Sequence, residues 1–182
     1  MTNQSPYTAN PHVFARFFAI FLLLPLVFCT SVQRAAASEW ASPDNPVLVR
    51  VVQHLLNAQG LPTKVDGKYG SQTRKQVKSF QTKHQLKVTG KMDDKTWSAL
   101  IITVKRGESG EAVQAVQELL NECDREFEKH PLKVTVDGVF GAKTEEAIKA
   151  FQAVFPIKVD GVVGPVTWKW LTQGASDNAW YD

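Results

Sequence analysis

The chain has 182 residues, 43% of them hydrophobic, and a formal net charge of +3. That is material for one ordinary domain or two small ones with a packed core. Lys and Arg alternate with Asp and Glu along most of the chain and no long basic block stands out, which argues against nucleic acid as a partner.

Residues 1–37 contain no Asp or Glu, and Arg16 precedes the uncharged apolar run Phe17 to Val32. Arg34 then leads into Ala35-Ala36-Ala37-Ser38. A basic flank, a short apolar stretch and an Ala-x-Ala site describe a cleaved secretory signal peptide. An uncleaved membrane anchor is the alternative, but the run is short for about 20 spanning residues and contains Pro25. Phe28 ahead of Cys29 argues against a lipoprotein signal. The expectation is export to a secreted, periplasmic or cell-wall location, with membrane contact only through this segment if it stays uncleaved. Its removal leaves 145 residues, a charge of +1 and Cys123 as the one cysteine. An exported fold without an internal disulfide must be held by its core. Cys123 reads as a half-buried helix residue rather than a nucleophile.

Leu48, Val52, Leu55 and Leu56 fall at i, i+4, i+7 and i+8, one stripe of a helix. Asp44 or Asn45 can cap its start, Pro46 suits the first turn, and Gly60 is a plausible stop. A second helix presents Val77, Phe80 and His84, and a short third one Trp97, Leu100 and Ile101. The pattern then returns. Val113, Val116, Leu119 and Leu120 form a stripe after Gly107 to Gly110; Ile148, Phe151 and Phe155 follow, then Trp168 and Leu171.

This return is an internal repeat. Val65 to Thr73 aligns with Val136 to Thr144 at an offset of 71, which also pairs Phe80-Gln81 with Phe151-Gln152 and Thr96-Trp97 with Thr167-Trp168. Upstream the offset is 64, so the second copy carries seven extra residues between Glu122 and Thr135. Within each copy Asp-Gly-x-x-Gly-x-x-Thr recurs, at Asp66, Asp137 and Asp160, with a degraded form from Thr89 to Thr96. The first Gly is suited to positive φ, Asp to an Asx turn, the second Gly to a helix start, and Thr to a hydrogen bond within the first helical turn. The predicted fold is all-α: two tandem three-helix repeats at 45–102 and 105–173, a tail at 174–182, and a joint at Thr103 to Gly110 too short to keep the copies apart.

These blocks resemble the peptidoglycan-binding domain 1 family. The second copy carries the pattern in Val116-Gln117-x-x-Leu120, Asp137 to Thr144, Ala147-Ile148-x-x-Phe151-Gln152 and Asp160 to Leu171. The first carries it in Val52-Gln53-x-x-Leu56, Asp66 to Thr73, Phe80-Gln81 and Thr96-Trp97-x-x-Leu100, and departs at Thr89 and Asp93. The resemblance implies a peptidoglycan ligand, glycan or stem peptide, and no cofactor.

A wall glycan needs amide and hydroxyl partners and aromatic faces. The candidate contacts are Asp66, Tyr69, Gln81, Asp137, Phe140, Gln152 and Trp170. Gln81 and Gln152 carry donor and acceptor groups that either face a ligand or cap a neighbouring turn. Tyr69 and Phe140 either pack or reach the ligand. Trp168 is the core candidate; Trp170 either binds a sugar or packs on the other repeat. His54, His84 and His130 lack the spacing of a zinc peptidase, and no carboxylate pair has a scaffold of its own. The expected role is non-catalytic wall binding, with no metal. A structural or protein-interaction module, or an accessory targeting subunit of a partner wall hydrolase, is the alternative.

Overall fold

The computed structural model describes residues 45–123 and 132–175. The expected signal segment, most of the insertion in the second copy, and Trp180-Tyr181 lie outside the described residues. Within them the fold is all-α: six helices, three to a repeat, and no strand.

Helix α1 (Pro46–Ala58) starts where the sequence provides a cap. Asn45 Oδ1 accepts from the amides of Val47 and Leu48 at 3.0 and 3.1 Å, and Pro46 takes the first turn. It stops at Gly60, whose φ of 74° lets the Leu61 amide reach the Leu56 carbonyl at 2.9 Å. α2 (Ser71–Lys83) and α3 (Asp94–Leu100) complete the first repeat. α4 (Glu111–Cys123), α5 (Ala142–Val154) and α6 (Pro165–Gly174) form the second. Gly70, Gly141 and Gly164 are N-caps of α2, α5 and α6 in extended backbone, and Asp93 caps α3 by accepting from the Thr96 amide at 2.8 Å.

The predicted stripe explains one side of α1. Val49 and Val51 are also fully buried, and α1 lies against α4 more extensively than any other two helices meet. The buried apolar face of α1 is thus broader than the predicted stripe, and it lies where the two repeats meet. Full burial of a Val contributes about 1.5 kcal/mol or more, so Val49 and Val51 add to the stability of this core. A charged cluster runs along the same junction. Arg50 Nε donates to Glu118 at 3.0 Å, and His54, itself buried, sits 2.5 Å from Glu111 and 3.6 Å from Glu118.

The joint is paired rather than free. Val104 exchanges both backbone hydrogen bonds with Val163, at 3.2 and 2.8 Å, and Phe140 does so with Gly107 and Glu108. Trp168 Nε1 donates to the Ile102 carbonyl at 2.8 Å, and its ring meets Trp97 edge to face with centroids 6.1 Å apart. Two expectations about side chains need correction. His84 is the exposed C-cap of α2, not part of its buried face; its ring stacks on Phe80 at 4.2 Å. Cys123 is fully rather than half buried, its Sγ 3.6 Å from the Leu171 carbonyl.

Candidate functional site

The repeated motif builds four turns, each clamped by a Gln from the preceding helix. In the first, Gln53 Oε1 accepts from the amides of Asp66 and Gly67, both at 3.0 Å. Its Nε2 donates to Asp66 Oδ1, the Lys68 carbonyl and Thr73 Oγ1 at 3.0–3.1 Å. Gln81 does the same for the degraded turn: it accepts from Thr89 and Gly90 and donates to Thr89 Oγ1, Lys91 O and Thr96 Oγ1. Gln117 accepts from Gly138 and donates to Asp137, Val139 O and Thr144. Gln152 accepts from Asp160 and Gly161 and donates to Asp160, Val162 O and Thr167. Thr89 replaces Asp without loss because its hydroxyl supplies the same acceptor.

Each turn needs a left-handed residue at the point of contact, and Gly67, Gly90, Gly138 and Gly161 hold φ between 70 and 72°. The motif Thr acts differently from expectation. Thr73, Thr144 and Thr167 each point their hydroxyl back to the turn carbonyl and the clamping Gln, not into the helix that follows.

This geometry sorts the candidate contacts. Gln81 and Gln152 are buried, at 0% and 1% exposure, and a neutral amide with two acceptor lone pairs and two N–H groups is saturated by such a turn. They therefore cap turns and offer nothing to a ligand. Phe140 is also removed: it is 1% exposed and covered by the joint, whose Gly107 and Glu108 pair with its backbone. Tyr69, its counterpart, is half-buried and donates from its hydroxyl to the Gly90 carbonyl at 3.1 Å. Trp170 is half-buried and stacks on Phe155 of its own repeat, 4.5 Å between centroids. Asp66 and Asp137 stay at the surface. Each accepts the amide two residues on and the clamping Gln, and those bonds hold its carboxyl below the usual aspartate range. A carboxylate so held accepts hydrogen bonds and does not deliver a proton. Among the described residues no group of three or more His, Cys, Asp or Glu is placed to hold a metal ion, and no helix is long and apolar enough to cross a membrane.

Gln53 and Gln117 belong to the same set, although they are not among the candidate contacts; the signal in the sequence is that each of the four Gln precedes an Asp-Gly or Thr-Gly pair. The alternation of charge also fails locally: α2 carries Arg74, Lys75, Lys78 and Lys83 and no acid.

Comparison with known proteins agrees with this architecture. A family profile described as "Putative peptidoglycan binding domain" matches residues 46–100 and again 109–171. An uncharacterized protein in the bpoA1 3' region of Kitasatospora aureofaciens is 37% identical over 73 residues, 40% of this chain and 58% of that protein. The zinc D-Ala-D-Ala carboxypeptidase of Streptomyces albus G is 31% identical over 83 residues, 46% and 30% of the two chains. A probable N-acetylmuramoyl-L-alanine amidase of Bacillus licheniformis is 30% identical over 133 residues, 71% and 36%. The chain thus spans between 30% and 58% of the length of these relatives. No solved structure matches it. With both copies of the clamped-turn unit matched in full, the chain belongs to the peptidoglycan-binding domain family.

Proposed function

We propose that this protein is exported and binds peptidoglycan without cleaving it, its two repeats acting as one rigid wall-binding body. The observation that carries the reading is the family match over both repeats. The buried Gln–turn frame supports it, because it holds surface turns such as Asp66 to Tyr69 rigidly and so lowers the ordering cost of binding. Two relatives are by name wall-cleaving enzymes, a carboxypeptidase and an amidase, and what they share with this chain covers about a third of each. We take that shared third as their wall-attachment part. In this reading Asp66, Tyr69, Asp137 and Trp170 are the contact residues.

The test is sedimentation of the full chain with purified insoluble peptidoglycan at moderate salt. Retention in the pellet, with no soluble muropeptide released, is the expected result. A protein left wholly in the supernatant overturns the binding reading, and released muropeptides overturn the non-catalytic one. The full chain is required, because each half alone would expose the faces of α1 or α4 now buried between repeats.

A further inference from the structure

We propose that the first repeat meets the wall through the outer face of α2 and the turn at Gly90, and that this face holds the carboxylates of peptidoglycan stem peptides. The inference rests on the peptidoglycan reading above. Residues 45–102 contain ten Lys or Arg and three Asp or Glu, a formal +7; residues 105–173 contain nine and eleven, a formal −2. The near-neutral total conceals a basic repeat joined to a slightly acidic one.

The excess is concentrated. Arg74, Lys75, Lys78 and Lys83 are all exposed, and at about 100° per residue they cover the half of α2 opposite buried Thr73, Val77, Phe80 and Gln81. The matching positions of α5, 71 residues on, are Glu145, Glu146, Lys149 and Val154. There Glu145 neutralises Lys149 at 2.8 Å and Arg106 at 3.0 Å. Among the described residues no acid forms an ion pair with Arg74, Lys75, Lys78 or Lys83.

Two of these side chains, Arg74 and Lys78, meet at one turn. A Cβ added to Gly90 would stand 2.9 Å from Arg74 Cγ and 2.9 Å from Lys78 Cε, so both side chains lie across it. Tyr69 bonds the Gly90 carbonyl, and exposed Lys87 and Lys91 flank the turn. An Arg and a Lys laid over a turn that a tyrosine hydroxyl also holds suit a ligand that carries separate carboxylates on a sugar-peptide frame. A membrane surface fits less well, since the one large exposed apolar side chain beside this turn is Val88.

The experiment measures retention of the full chain on peptidoglycan sacculi as salt is raised. Arg74→Glu with Lys75→Glu writes the second repeat's own residues into the first, so the helix tolerates the pair. Lys143→Glu with Lys169→Glu makes the same change in net charge on the second repeat. The first pair is expected to weaken half-saturation at least tenfold at low salt, and the second by less than twofold, with both melting like wild type. Amidating the sacculus carboxylates with a neutral amine should weaken wild type to the level of the first pair. If that pair misfolds, Arg74→Gln with Lys78→Gln gives a smaller loss in the same direction. Equal retention of both Glu pairs overturns the proposal. So does retention that survives amidation but disappears once phosphate polymers are stripped from the sacculi. Wild type that fails to bind untreated sacculi at low salt overturns instead the peptidoglycan reading beneath it.

Discussion

The turns after α1 and α4 are held by nearly the same bonds to Asp, Gly, Thr and a carbonyl, while the outer faces of α2 and α5 carry different charges. The difference follows burial. A Gln at 1% exposure that leaves its turn orphans several polar groups at once, at about 1–3 kcal/mol each. A surface Glu exchanged for Arg costs a few tenths. The interior of each repeat is therefore confined to one solution, and the exterior is free to specialise.

The equivalence of the interiors can be broken most forcefully at the junction. Trp168→Ala should cost about 4 kcal/mol through the cavity and the lost bond to Ile102. If the core is shared, circular dichroism will show one cooperative melt moved to lower temperature; two separate transitions would show that the repeats fold independently. Next, Gln53→Leu, Gln81→Leu, Gln117→Leu and Gln152→Leu should each cost about 3 kcal/mol, since each strands turn amides without partners. By chemical denaturation the four should agree within about 1 kcal/mol, and a silent Gln81→Leu would mean that the degraded turn is held by other means.

A smaller contrast separates two glycines with the same backbone angle. Gly67→Ala and Gly161→Ala both lose about 1–2 kcal/mol to left-handed strain. The added Cβ of Gly67 meets the Pro46 carbonyl at 3.0 Å, whereas that of Gly161 meets the side chains of Glu145 and Lys149, which can swing aside. Gly67→Ala should therefore melt lower, and equal melting would refute the close approach to α1. The smallest effect is that of pH. Burial alone lowers the His54 pKa, but the hydrogen bonds and charges of Glu118 and Glu111 outweigh it and raise it above 6.5. Burial raises that of Glu118, but His54 and Arg50 reverse this and hold it below 4.5. His54 thus contributes fully below pH 6.5 and less as pH rises through its folded value; Glu118 contributes fully above pH 4.5 and less as pH falls. Stability should be highest between these limits and decline above pH 6.5. In His54→Gln that alkaline decline should flatten, and an unchanged profile would remove His54 from the account.

Much of the fold was legible because two offsets, 71 and 64, place every helix and turn twice. Asn45, Pro46, Gly60 and the motif glycines do what their chemistry predicts. The breadth of the buried face of α1 was not legible: Val49 and Val51 border the predicted stripe and are fully buried, and α1 lies against α4 of the other repeat. Gln81 and Gln152 were candidates for a ligand because an amide suits a sugar or a turn equally, and sequence does not say which lies within 3 Å. Tyr69 and Phe140 occupy one motif position, yet the joint covers one and not the other. A whole-chain count hides the basic face, because the small net charge averages a basic first repeat, with four of its cations on α2, against a slightly acidic second one.

Asn45, which caps α1, also donates its side-chain amide to the carbonyl of Ala175 just past α6, at 2.8 Å. Entry to and exit from the folded body are therefore a single hydrogen bond apart. Whatever chain leads in and whatever chain leads out depart from one spot, so a cargo fused at either end would hang from the same anchorage. The same adjacency makes the body a natural insert: spliced into a surface loop of a host protein, its two ends would meet that loop side by side.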